Sequence, residues 1–279
     1  SGRSSPRRPR PTAPPAAGSS GSLRPRGPPV PTQNQLAEQH RAEQARLAAR
    51  VTRDVLQLWL SSYQPRNPGV WQALLAALRA LVASFRREST RIATGYYLES
   101  RAEAGVPGIF VPRPAPPEPP PELIEATAQI TGARAYGRAL TAGMPEQQAR
   151  QNAGVLLAGN MERIVLNAGR ETILDAVEDD REAIGWARIG DAHPCAFCAM
   201  LISRGPVYSE ETAKFEAHPH CACTAAPVWS RDEAWLGHSK DLYEQWRRVT
   251  AGETGAGARR AWRRYWEGRD KSGDDDGAA

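Results

Sequence analysis

The sequence predicts a mainly α protein carrying one small α+β segment stapled by zinc. Three observations lead there. Apolar residues recur at three- and four-residue spacings over most of residues 34–104 and 122–180. Two short stretches near Ile184–Ile189 and Thr224–Trp229 read instead as strands. All four cysteines, at 195, 198, 221 and 223, fall between those stretches.

Residues 1–33 are rich in Pro, Arg, Ser and Gly, with six Arg and no acid up to Val30. Such a segment buries too little apolar surface to offset its ordering entropy, so a disordered basic arm is expected. From Asn34 onward Leu36, Leu47, Val51, Val55, Leu58 and Trp59 mark one amphipathic helix, ending before the Pro65–Pro68 turn. A second begins after Pro68, with Trp71, Leu74, Leu75, Leu78, Leu81, Val82 and Phe85 as its apolar face. Residues 34–104 thus read as a helical hairpin.

Residues 105–121 carry eight prolines and read as a semi-rigid linker. The stretches 122–143 and 145–180 return to helical spacing, with Pro145 suited to a first helical position. Glycines 154, 159 and 169 argue against one unbroken rod there. Residues 230–279 form a Trp- and Arg-rich helical tail with an acidic end. In it Arg259–Arg264 alternate with Trp262, Tyr265 and Trp266, and the favoured reading buries the Trp face and solvates the Arg face.

The chain has 279 residues, a net charge of +5 and a pI near 9.2, a balance that permits an acidic or nucleic-acid partner without identifying one. No run of about eighteen apolar residues occurs, so no membrane-spanning helix and no membrane partner is expected. The N-terminal segment lacks the apolar stretch of a secretory signal, and a reducing compartment is expected. There, clustered cysteines bind metal more often than they pair as disulfides.

The cluster reads Asp191-Ala-His193-Pro-Cys195-Ala-Phe-Cys198, nineteen further residues, then His218-Pro-His220-Cys221-Ala-Cys223. Zinc takes four nitrogen or sulfur ligands in a tetrahedron, and a Cys-x-x-Cys turn supplies two sulfurs from one tight loop. The second pair must come from the later run. Cys195, Cys198, His218 and Cys223 are the expected ligands, with Cys221 close to an even alternative and His220 a weaker one. Four strong donors favour a closed, structural site, so no catalytic residue is assigned and no enzyme activity is expected. The redox reading of Cys-x-x-Cys needs a βαβ unit, which this stretch lacks. The residues between Cys198 and His218 should form a Gly-Pro turn and a short helix.

The pattern HPCAFCAMLISRGPVY followed by HPHCACTAAPVW resembles the Mu F-like minor head proteins of tailed phages, as found in phages of actinobacteria. The resemblance covers residues 122–229 and is most specific over 191–229. Ala222 stands where a basic residue is often found in that family. The resemblance implies a minor capsid protein for head morphogenesis, inside the capsid and assembled in the host cytoplasm. Implied partners are the portal, scaffold and major capsid proteins, with packaged DNA as a non-specific contact. Related proteins are also labelled capsid maturation proteases, which makes processing of scaffold or capsid protein the alternative function. A DNA-binding zinc module is a second alternative.

Overall fold

The first helix is started by a reciprocal cap. Thr32 Oγ1 accepts from Gln35 N at 3.3 Å, and Gln35 Oε1 accepts from Thr32 N at 2.9 Å. Both bonds satisfy donors that a helix start leaves unpaired. From there α1 runs over Gln33–Ser62. Asn67 caps α2, Pro68–Glu103, by accepting from Val70 N at 3.2 Å, and Pro68 opens it, where its missing N–H costs nothing. A computed structural model describes residues 31–206, 215, 217–231 and 235–272, with backbone alone for 269–272. The arm up to residue 30, the short helix expected before His218 and the acidic end lie outside the described residues.

The remaining elements are α3 (Pro121–Thr127), a π-helical stretch (Ala128–Ala133), α4 (Arg134–Thr141), α5 (Glu146–Asp179), β1 (Gly185–Ile189), α6 (Ala196–Ile202), β2 (Thr224–Val228), α7 (Ser239–Val249) and α8 (Gly255–Ser272). The protein is therefore mainly helical with one small sheet, as the periodicity predicts.

Three long helices, α1, α2 and α5, pack side by side. Leu47, Val51, Val55 and Trp59 meet Leu74, Leu75, Leu78 and Val82 and then Leu157, Met161 and Val165, all but fully buried. Each such side chain contributes roughly 1.5–3 kcal/mol of burial. By length and composition α2 is apolar enough to cross a membrane, which corrects the expectation that no helix would be. Its apolar stripe is nevertheless the one facing α1 and α5, the placement of a core helix.

The expectation of a broken α5 is also corrected, because its glycines are contact points on a continuous helix. A Cβ at Gly154 would stand 2.7 Å from the Trp59 ring, and one at Gly132 would press the same ring at 2.9 Å. Trp59 fits between these two bare backbones and donates its indole N–H to Arg150 O at 2.9 Å. Gly169 opens a slot for a buried polar layer. Gln44 and Ser89 exchange hydrogen bonds at 3.0 Å, and Ser89 Oγ accepts from Gly169 N at 3.2 Å. Pro145 stands one residue outside α5, as its cap, one place earlier than expected.

The proline-rich residues are laid along the helices by two buried arginines. Arg101 pairs with Asp180 at 2.9 Å and donates to the carbonyls of Pro107 and Gly108, while Arg86 donates to Pro116 O and Ile164 O. Thr172 Oγ1 accepts from Ala115 N at 3.0 Å.

β1 and β2 pair antiparallel, Gly185 opposite Val228 and Ile189 opposite Thr224. Their apolar residues Trp186, Ile189, Ala225 and Ala226 join Leu36, Tyr96, Tyr97 and Ile173 in a second core. This register has one consequence for the cysteines. The chain leaving β1 at Ile189 and the chain entering β2 at Thr224 lie at the same end of the sheet.

Candidate metal centre

That register brings Cys195 and Cys198, just after β1, beside Cys221 and Cys223, just before β2. Cys195 caps the short helix α6, and its Sγ accepts from Cys198 N at 3.4 Å. A sulfur facing a helix N-terminus is stabilised as thiolate, the form that binds metal. His218 Nε2 lies 2.9 Å from Cys195 Sγ and 3.7 Å from Cys198 Sγ. Its Nδ1 is 2.7 Å from Pro219 O, which holds the proton on Nδ1 and leaves the Nε2 lone pair turned to the sulfurs. Cys198 Sγ lies 3.6 Å from Cys221 Sγ, and all four cysteines are free thiols.

Two triads of possible ligands result, Cys195–Cys198–His218 and Cys198–Cys221–Cys223, each with its donor atoms within 4.8 Å of one another. Cys198 is common to both. A tetrahedral zinc site needs sulfur–sulfur edges of about 3.8 Å and sulfur–nitrogen edges of about 3.5 Å. The contacts of Cys198 with Cys221 and His218 match those edges, while Cys195 and His218, at 2.9 Å, stand closer than a shared metal would hold them; either triad can hold a metal ion. The described residues thus include a cysteine–histidine group that can hold a metal.

The protonation pattern has a physical cause. The sulfurs of Cys195, then Cys221 and Cys223, favour the protonated form of Cys198 and, with burial, push its thiol far up. The same contacts hold Cys195 down at about 5 and Cys221 well below its ordinary value. Cys223 is drawn down by Cys198, but its bond to Cys221, burial and the Cys221 charge push it up to about 12. Sulfurs this close, as in the Cys198–Cys221–Cys223 triad, repel one another when all are anionic, so the cluster retains protons. A divalent cation removes the repulsion that keeps those protons bound.

Not every sequence candidate joins the cluster. His220 adopts a left-handed backbone with φ of 60° and turns away. Its Nδ1 meets Glu162 Oε2 at 3.2 Å, and its ring covers Gly159, where a Cβ would come within 2.3 Å of Nε2. His220 thus anchors the cysteine loop to α5. His193, not among the expected ligands, donates its backbone N–H to Asp191 Oδ1 at 3.1 Å.

Several supporting residues escaped sequence reasoning. Arg170 of α5 is buried and donates to Cys221 O, to Cys223 O at 3.0 Å and to Asn167 Oδ1 at 2.8 Å. Arg188 of β1 lies over the Phe215 ring at 3.7 Å, and Arg170 lies over the same ring at 4.9 Å. On the other side of the loop, Trp262 Nε1 donates to Ala196 O and Trp266 Nε1 donates to Pro194 O, both at 2.8 Å. Glycine inside a helical pattern was the one available signal for the His220 seat. An arginine in an amphipathic helix carries no mark of a buried role.

A model of the VG15 protein family matches residues 31–249, more than three quarters of the chain. The chain belongs to the VG15 protein family. Membership makes this a viral, phage-type protein. No curated protein and no solved structure matches the chain. The VG15 match runs from α1 through α7, so it includes the bundle, the sheet and every cysteine, and leaves α8 with its two tryptophan struts outside.

Proposed function

We propose that this VG15 family member is a Mu F-like minor head protein of a tailed phage, acting in head morphogenesis within the procapsid, and that its cysteine cluster is a structural zinc site. Its partners would be the portal, scaffold and major capsid proteins. The observation that carries the reading is the convergence of His218 and four cysteines at one sheet end in a chain of a viral family. The stretch shared with the Mu F-like pattern is the one that builds this convergence. Cys195, Cys198 and His218 supply three ligands. Cys221, which meets these three at Cys198 Sγ, 3.6 Å away, would move in as the fourth, with Cys223 as the alternate. A closed set of four protein ligands would tie the two halves of the cysteine loop together beside the apolar cluster they share with Leu242, Trp262 and Trp266.

The short Cys195–His218 contact supports a second reading, a thiolate–imidazole pair of a capsid maturation protease. Metal analysis of the full chain decides between them. The zinc reading expects about one zinc per chain, lost in Cys195→Ser and Cys221→Ser and retained more weakly in Cys223→Ser. It also expects capsid and scaffold proteins to stay uncleaved on co-expression, with the protein itself found in purified heads. A metal-free chain that cleaves either substrate, with cleavage lost in Cys195→Ser, would replace it by the protease. Absence of the protein from heads would remove the head-assembly reading.

A further inference from the structure

Helix α8 has two unlike faces. Ala258, Trp262 and Trp266 are buried, and Trp262 and Trp266 are committed to Ala196 O and Pro194 O. Arg259, Arg260, Arg263 and Arg264 are all exposed on the other face. None of the four has an ion-pair partner among the described residues. Residues four apart on a helix lie on one side, separated by about 6 Å of rise, so Arg259 stands beneath Arg263 and Arg260 beneath Arg264. The result is a two-by-two block of guanidinium groups held on a rigid support. Glu267, exposed at the C-terminal edge, and Glu253, whose carboxylate lies against Gly257 just below Arg260, flank the block, and among the described residues no ion pair ties either to these arginines.

Four like charges one turn apart repel one another and weaken an isolated helix by a few tenths of a kcal/mol per pair. A helix that needed only solubility would intersperse acids. Arginine, with its planar fork, suits paired phosphate oxygens better than a compact ammonium would.

We propose that this arginine face of α8 is a docking surface for the sugar–phosphate backbone of nucleic acid. Trp262 and Trp266 cannot stack on bases, because both are buried against the cysteine loop, and half-buried Tyr265 rests against Trp262. Recognition is therefore by charge alone, indifferent to base sequence and equally good on duplex. The surface does not depend on the zinc or head-assembly readings, since duplex binding is measured with no capsid component present.

The test is fluorescence anisotropy of a labelled 30-base-pair duplex of mixed sequence with the full chain, between 50 and 200 mM NaCl. Engaging four phosphates gives a log–log salt slope of roughly −3.6 from this face, so its contribution weakens on the order of a hundredfold over that range. Replacing Arg259, Arg260, Arg263 and Arg264 together with Gln should lower affinity at least about tenfold at 50 mM and flatten the slope by about three to four. Unchanged near-ultraviolet dichroism and an unchanged urea midpoint would show that this variant remains folded. Removing residues 1–30, with their six arginines, should leave the difference between wild type and variant in place. The proposal is overturned by an undiminished affinity in the fourfold variant. It is equally overturned if binding vanishes on removal of residues 1–30, or if polyglutamate competes as well as duplex per unit charge.

Discussion

Replacing Gly159 with Ala would place a methyl carbon 2.3 Å from His220 Nε2 and 2.6–2.7 Å from two further ring atoms. No real contact is that short, so the ring must leave its seat on α5. Two opposing terms decide the outcome. Alanine in a helix interior gains about 1 kcal/mol over glycine. Displacing the ring breaks the His220–Glu162 bond, in which the acceptor is a buried carboxylate, and a bond to a charged group is worth about 1.5–3 kcal/mol. Thr52 still donates to Glu162 at 2.8 Å, which keeps the loss toward the lower end. Gly159→Ala should therefore destabilise by about 1 kcal/mol net in the zinc-loaded protein. In a His220→Ala background the clash and the bond are both gone, and the same substitution should stabilise by about 0.5–1 kcal/mol. Denaturant unfolding of the four proteins measures the coupling, expected at about 2 kcal/mol. Additivity to within about 0.5 kcal/mol would refute the claim that His220 docks the cysteine loop on Gly159.

Arg170→Met should weaken zinc binding about 10–100-fold in a chelator competition, because the carbonyls of Cys221 and Cys223 lose the group that orients them. Arg170→Lys should fail to restore it, since one ammonium cannot replace the fork; full rescue by Lys would mean that charge alone matters. His40 is fully buried against Tyr96, and burial depresses it from the ordinary 6.5 to about 3. The unfolded chain thus takes up a proton between those values and the folded chain does not, so stability is complete above about pH 6.5 and falls as pH drops toward 3. At pH 5 the loss is about 2 kcal/mol, and His40→Leu should remove that part of the slope in urea titrations. An unchanged slope would show that His40 is protonated in place.

Much of the architecture was legible because it rests on local pattern. The helical periods, the start of the second helix at the Pro65–Pro68 turn and the two strand stretches are written in neighbouring residues, and each appears within a residue or two of its expected place. The glycines of α5 show the limit of such reading. Locally, Gly154, Gly159 and Gly169 are weak helix formers, and a break was the natural inference. Their helix is continuous because Trp59, His220 and Ser89 approach where no Cβ stands in the way, and the packing outweighs about 1 kcal/mol per glycine.

The sequence by itself determined the mainly helical class, the restriction of every cysteine to one short window and the donor chemistry suited to zinc. Only the tertiary structure decided how those donors sort. The antiparallel register pairs residues from Ile189–Thr224 to Gly185–Val228, placing Cys198 between His218 and Cys221 and turning His220 toward Glu162. It also set Arg170, Trp262 and Trp266 around the loop and left the arginines of α8 facing outward. Spacing along a chain states which atoms are available. Which of them meet depends on the packing of distant elements, and that is settled by the whole fold at once.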